Sequence, residues 1–392
     1  MLYRANIEMA DRCGEILSES RCAARISRKT MSEAMEVSEG TIRAWEEGQG
    51  SPTVLGMLEW FRITGRSFSK AILEFFWPEI FKGLGGATSD EKIKTALGTY
   101  VEQIAEPGEV KKLHFLILGN HGSEWSGLLD MACAHEHTSL KCRCRTAEII
   151  HTAYDINGAN GNVAVVPGIE SDEVFLKKAI NAAKNAQSSG LNGYTLGDIF
   201  KDDHIISHML EQARLDSGIS RKDLAKALNK SERTIQNWEN GFNPSFLDVC
   251  MWFGAVKKSA WAYTQSAIYN HDVNACDDYA EMCRKELLGY FADAPMSEVR
   301  KLCYIIMGEH GSNWHSLLEA LFEYICLPLS QRVITARSVL MGYCIEEQST
   351  EIIGVDNILP DIENLRRCIQ LGTNAAKNGK PFYTIQNCPQ AQ

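Results

Sequence analysis

What the chain lacks narrows its class first. None of its 392 residues sit in an apolar run approaching eighteen, so no membrane-spanning helix is expected. The opening stretch, MLYRANIEMADRCGEIL, carries acidic side chains and no apolar core, so no secretory leader is expected. Neither a G-x-x-x-x-G-K-[ST] loop nor a G-x-G-x-x-G loop occurs, so no nucleotide-type cofactor is expected. Positive charge is in deficit: 40 Lys and Arg face 50 Asp and Glu, a net charge of −10. A polyanionic partner would therefore have to be met by a local surface. What is present is ordinary for a folded core: 45% apolar and 23% charged residues. Thirteen cysteines without a leader point to reduced thiols and a cytoplasmic location. The length allows two or three domains.

The chain repeats itself. SEGTIRAW at 38–45 returns as SERTIQNW at 231–238. ISRKTMSEAM (26–35) matches ISRKDLAKAL (219–228), and LHFLILGNHGSEWSGLLD (113–130) matches LCYIIMGEHGSNWHSLLE (302–319). PGIE and PDIE, and two NAAKN segments, follow in the same order at offsets of 189 to 193. Solenoid repeats run about 20–50 residues, so this reads as a tandem duplication of one unit, near 1–193 and 194–392. Each copy divides into a head and a helical module: 1–85 and 86–193, then 194–275 and 276–392.

The octapeptide follows a short helix and a tight turn. In the second copy Ser220 is a plausible N-cap, and Leu224, Ala227 and Leu228 share a helical face. Asn229 and Lys230 make the turn, since Asn tolerates left-handed backbone. Ser231 caps the next helix; Ile235 and Trp238 face inward, leaving Glu232, Arg233, Gln236 and Asn237 outside. Gly241 and Pro244 end it. A polar outer face on the second of two such helices fits a DNA major groove, where Arg reads guanine and Gln or Asn reads adenine.

On these residues the chain resembles the lambda-repressor-like, XRE-type helix-turn-helix family. SRKDLAKALNKSERTIQNWENGFNPS matches its pattern closely, and SRKTMSEAMEVSEGTIRAWEEGQGSP less so. The resemblance implies a mainly α chain with two heads of about five helices each, flanked by helices at 8–23, 52–64, 201–216 and 245–257. It also implies a sequence-specific double-stranded DNA-binding protein, a repressor-type transcriptional regulator of a bacterium, phage or mobile element. One chain would then act as a pseudo-dimer with two recognition helices.

The copies differ in charge. Residues 219–243 hold five cations and three acids, a net of +2, whereas residues 26–50 hold three cations and five acids, a net of −2. Phosphate contacts supply much of DNA affinity, so the second head is expected to dominate. The first has Met31-Ser32 for the usual Leu-Ala, Glu36 where the family often has Gly, and Gly40 in its recognition helix. Gly40 weakens that helix by about 1 kcal/mol relative to Ala. The DNA-contacting residues expected from this reading are Arg28, Lys29, Ser38, Glu39, Thr41 and Arg43. In the second head they are Arg221, Lys222, Ser231, Glu232, Arg233, Thr234, Gln236 and Asn237. Arg28-Lys29 and Arg221-Lys222 open helices near a phosphate in this geometry.

The modules carry fewer signals. Each should hold a buried helix ended by Gly119 or Gly308, a loop, and a second helix capped by Ser123 or Ser312. His121 and His310 recur beside Trp125 and Trp314, but Glu124 becomes Asn313 and Ser126 becomes His315. No constant acid or nucleophile accompanies the histidines, so a packing role is expected, with no enzyme activity. Cys133, His135, His137, Cys142 and Cys144 are zinc-type ligands, but their spacing fits no standard site and the second copy lacks them, so no metal is expected. Residues 146–168 and 332–356 read equally as helix or as a small β-hairpin. The modules at 86–193 and 276–392 are candidates for assembly and self-association, with no membrane contact. A rival reading makes the chain an interaction protein that keeps the helix-turn-helix fold for protein partners; the net charge and the acidic first head favour it.

Overall fold

Ser27, Ser38, Ser220 and Ser231 each take extended backbone and accept a hydrogen bond from the amide three residues on. Each satisfies one of the free N–H groups that a helix start leaves over. In the computed structural model these serines open the short helices of both heads. The structure describes residues 2–66, 68–78, 89–161, 168–191, 193–194, 196–199, 204–269, 277–308, 313–348 and 358–384.

The first half forms α1 (Leu2–Ala23), α2 (Arg28–Ala34), α3 (Glu39–Glu46), α4 (Val54–Thr64), α5 (Phe68–Phe76), α6 (Asp90–Thr99), α7 (Pro107–Leu118), α8 (Trp125–His137), α9 (Leu140–Ala159) and α10 (Glu173–Ser188). The second forms α11 (Leu196–Ile199), α12 (Ile205–Asp216), α13 (Arg221–Leu228), α14 (Glu232–Glu239), α15 (Phe246–Val256), α16 (Ala260–Tyr269), α17 (Asp278–Asp293), α18 (Met296–Met307), α19 (Trp314–Cys326), α20 (Leu329–Glu347) and α21 (Ile362–Lys377). A π-helical turn at Tyr100–Ile104 continues α6. Among the described residues there is no strand, only an isolated antiparallel bridge between Thr53 and Ser245. Asn157, Gly158 and Ala159 of the expected first hairpin end α9, and residues 333–347 of the second run on within α20. The rest of both hairpins, at 162–167 and 349–356, lies outside the described residues.

The chain divides into two units, each drawn from both halves: Met1–Glu79 with Thr195–Cys276, and Ile80–Tyr194 with Asp277–Gln392. The first unit contains both heads. Leu17, Met31, Ile42, Trp60 and Phe61 are fully buried in one head, and Leu210, Ala213, Leu224, Ile235 and Trp252 in the other. The indoles keep polar partners: Trp60 Nε1 donates to Ser20 Oγ at 2.9 Å and Trp252 Nε1 to the Leu210 carbonyl at 3.2 Å. Ala225, not Ala227, joins Leu224 and Leu228 inside the second head, because Ala227 has turned past the buried face and is exposed.

The second unit contains both modules, and their helices pack reciprocally. α7 meets α17 as α18 meets α6; α8 meets α18 as α19 meets α7. Likewise α9 meets α19 as α20 meets α8, and α10 meets α19 as α21 meets α8. Buried ion pairs follow the same exchange. Lys112 pairs with Glu319, and Lys301 with Asp130. Glu319 also accepts from the Asp172 amide at 2.8 Å, and Asp130 from the Asp361 amide at 3.3 Å. Removing one member of such a pair would strand a buried charge, at a cost of about 3–5 kcal/mol.

The loops after α7 and α18 differ from expectation in one detail. Gly119 and Gly308 end their helices, but α8 is preceded by Glu124 and α19 by Asn313 as N-caps. Ser123 instead accepts a hydrogen bond from the Arg332 guanidinium; Ser312 lies outside the described residues.

Candidate nucleic-acid interface

Each head holds its second short helix against its first with one buried carboxylate. Glu46 at the end of α3 receives Arg21, at 3.1 Å through Nη2, and Arg28 at 2.6 Å. Glu239 at the end of α14 receives Arg214 and Arg221, both at 2.5 Å. These carboxylate side chains are 1% and 0% exposed. Burial alone would raise the Glu46 pKa, yet the hydrogen bonds from Arg21 and Arg28 outweigh it and hold the carboxyl below its ordinary range. Arg28 and Arg221 are therefore half-buried, with their guanidinium groups committed to the fold as well as lying at a helix start. The sequence reading missed these triads. Their signal was present: Arg21, Arg28 and Glu46 recur 193 positions later as Arg214, Arg221 and Glu239.

The turn between the helices needs left-handed backbone. Asn229 supplies it at φ 52°, and Glu36 takes the same position at φ 55°. Asn does this at little cost, whereas Glu does not.

The outer face is set by the caps. Ser38 and Ser231 spend their hydroxyls on the amides and hydroxyls of Thr41 and Thr234, at 2.8–3.0 Å. Ile42 and Ile235 are fully buried, and Trp238 is buried beneath the recognition helix. Glu232, Arg233 and Gln236 are exposed, Asn237 is half-buried, and Lys222 is exposed on α13. In the first head Glu39, Gly40, Arg43 and Lys29 are exposed. Arg43 is bound to Glu47 one turn on at 2.6 Å. The residue corresponding to Glu47 is Asn240, so the second recognition helix lacks this competing acid.

The heads meet at Thr53 and Ser245, the N-caps of α4 and α15. The Phe246 amide donates to the Pro52 carbonyl at 2.8 Å, and the Leu247 amide to Ser51 Oγ at 3.2 Å. Phe75 and Phe246 close the contact edge to face, with centroids 5.1 Å apart.

The other candidates settle into the second unit. His121 is half-buried against Phe115 and bonds the Leu116 carbonyl at 2.8 Å. Burial lowers its pKa. His310 lies outside the described residues. Cys133 Sγ donates to the Ile358 carbonyl at 3.0 Å and His137 Nδ1 meets the Cys133 carbonyl at 2.7 Å. His135 lies beside Glu136. Cys142 is half-buried and Cys144 buried. Burial raises the thiol pKa of Cys133 to about 12.

A family described as helix-turn-helix matches residues 210–249, from within α12 to the start of α15. No curated protein and no solved structure matches the chain. The matched segment contains the capped helices, the left-handed turn and the exposed face described above. The match suggests binding of double-stranded DNA, and with it a role in the regulation of transcription. No helix among the described residues is long and apolar enough to cross a membrane.

Proposed function

We propose that the chain is a sequence-specific double-stranded DNA-binding regulator in which duplicated heads act as a pseudo-dimer, in the cytoplasm and without enzymatic activity. The observation that carries this reading is the bridge between Thr53 and Ser245. These are corresponding residues of the two heads, and contact between a residue and its own counterpart is the mark of a two-fold, isologous interface. Fusing both heads in one chain would present two recognition helices to half-sites about one helical turn apart, ~34 Å, or a multiple of that.

The heads would share the work unequally. The second offers Arg233 and Gln236 with nearby Lys222, whereas the first offers Gly40 and a neutralised Arg43. An asymmetric site is the consequence, better specified on the side of α14, since a bidentate base contact is worth about 1–3 kcal/mol. Selection of binding sequences from a random pool, combined with the mass of the bound complex, tests this. One chain on an asymmetric site is the expected result. A short perfect palindrome held by a single chain would refute the division of labour. Failure to shift any duplex would favour the protein-interaction reading.

A further inference from the structure

His151 and Asp155 lie one turn apart on α9, so both side chains leave the same helix face. Glu173, the first residue of α10, comes to them from the neighbouring helix. His151 Nδ1 is 3.2 Å from Asp155 Oδ2, and His151 Nε2 is 3.5 Å from Glu173 Oε1. One donor atom from each of the three falls within 4.8 Å of the others. The imidazole is the buried member. Its side chain is 13% exposed, and Nε2 is enclosed without a hydrogen-bond partner among the described residues.

Two further observations point to a cation. Ser171, two residues before Glu173, binds the fully buried Glu323 at 2.6 Å. Burial raises the Glu323 carboxyl, and the charges of Glu319, Glu173 and Asp155 add to the rise. The acids beside His151 thus project a negative field into the core. The second observation is the repeat. Tyr154 and Asp172 recur as Tyr343 and Asp361, 189 positions on, yet Leu340, Cys344 and Ile362 stand where His151, Asp155 and Glu173 would. Both modules share the frame of the site, and its three donors belong to the first alone.

We propose that His151, Asp155 and Glu173 bind a divalent transition-metal cation of the zinc class, with water completing its coordination. One imidazole and two carboxylates suit such an ion better than magnesium or calcium, which take oxygen donors. Zinc–ligand bonds of about 2.0–2.2 Å let donors up to roughly 4 Å apart share one ion. The Asp155 and Glu173 side chains, 45% and 36% exposed, need only a small rotation to close that distance. Lys177 competes: its Nζ holds Glu173 Oε1 at 2.5 Å while half exposed, and it would turn to solvent as the ion enters. The site requires no DNA and does not rest on the DNA reading.

Titration of the reduced, chelator-treated full chain with cobalt(II), followed by visible absorption, tests the assignment. Stoichiometric binding is expected, with the ligand-field bands of nitrogen and oxygen donors and no thiolate charge-transfer band at the first equivalent. Zinc should displace the cobalt, and excess magnesium should not. His151→Leu, which copies Leu340, should weaken the ion by about tenfold or more, the scale on which losing a group at a metal site is felt. Lys177→Met should tighten it several-fold by removing the competitor, a gain that damage to the fold would not give. A thiolate band at the first equivalent would move the ion to the cysteines and overturn the assignment. So would equal affinity in a folded His151→Leu protein, displacement by magnesium, no gain in Lys177→Met, or no binding at all. Should His151→Leu fail to fold, Asp155→Asn gives the same readout at an exposed position.

Discussion

Glu36 is a residue in the wrong backbone for its type. A β-carbon in the left-handed region costs about 1–2 kcal/mol, and Glu36 holds φ 55° where the second head uses Asn229. Glu36→Gly should raise the stability of the first head by about 0.5–1 kcal/mol, because glycine's freedom in the unfolded chain returns part of the gain. Hydrogen exchange of α2 and α3 amides measures it, and Asn229→Gly should give a smaller change. The position was visible in the sequence as a departure from the family's usual glycine. The Arg–Glu–Arg triads left only their recurrence as a trace; that the three charges meet could not be read, because they are spread over three helices and each looks like an ordinary surface charge until the bundle closes.

The recognition helices α3 and α14 share caps, buried Ile and turn, and differ in what they offer outward. A β-carbon built on Gly40 meets nothing closer than Ser38 Oγ at 3.6 Å. Gly40→Arg, which copies Arg233 of the second head, should therefore be accommodated and should tighten DNA binding several-fold. Arg233→Ala with Gln236→Ala should reduce specific affinity by at least tenfold, roughly one bidentate contact. Gel-shift titration at fixed salt measures both, and equal losses from matched changes in the two heads would contradict the asymmetry. Helix identity, caps and inner faces were legible because they follow from local periodicity and side-chain chemistry. The choice between helix and hairpin at 146–168 and 332–356 stayed open in the sequence, and the described parts are helical. Gly and Asn beside the apolar run looked like turn signals, whereas residues 157–159 complete the last turn of α9 and Asn160 caps it.

At the scale of the molecule, stability is tied to pH through carboxyls buried in the second unit. Glu323 is fully buried, accepts from Ser171 Oγ at 2.6 Å, and is raised to about 8, chiefly by burial. Its unfolded value is near 4.3. The folded state thus keeps a proton that the unfolded chain releases, so this contribution is present below about pH 4.3 and is lost as pH rises towards 8. Glu323→Gln removes the dependence. Its melting temperature should exceed that of the parent at pH 8–9, and the gap should close as pH falls to 5. The reciprocal placing of Lys112 with Glu319 and Lys301 with Asp130 was beyond a sequence reading, since four charges at ordinary helix positions carry no mark of burial. The repeat in the sequence suggested two modules, but not that each would supply the other's counter-ions.

That exchange of counter-ions has a consequence for synthesis. Lys112 and Glu319 are 207 positions apart, so the first module leaves the ribosome long before its partner exists. At about 5–20 residues per second the delay is on the order of 10–40 s. During it Lys112 and Asp130 belong to nascent chains that present the same unfilled apolar faces. Two neighbouring nascent chains on one message could satisfy each other, first module to first module, with Lys112 of one meeting Asp130 of the next. The fused architecture that secures a fixed pairing in the finished protein thereby carries a hazard of swapped, intermolecular assembly while it is being made.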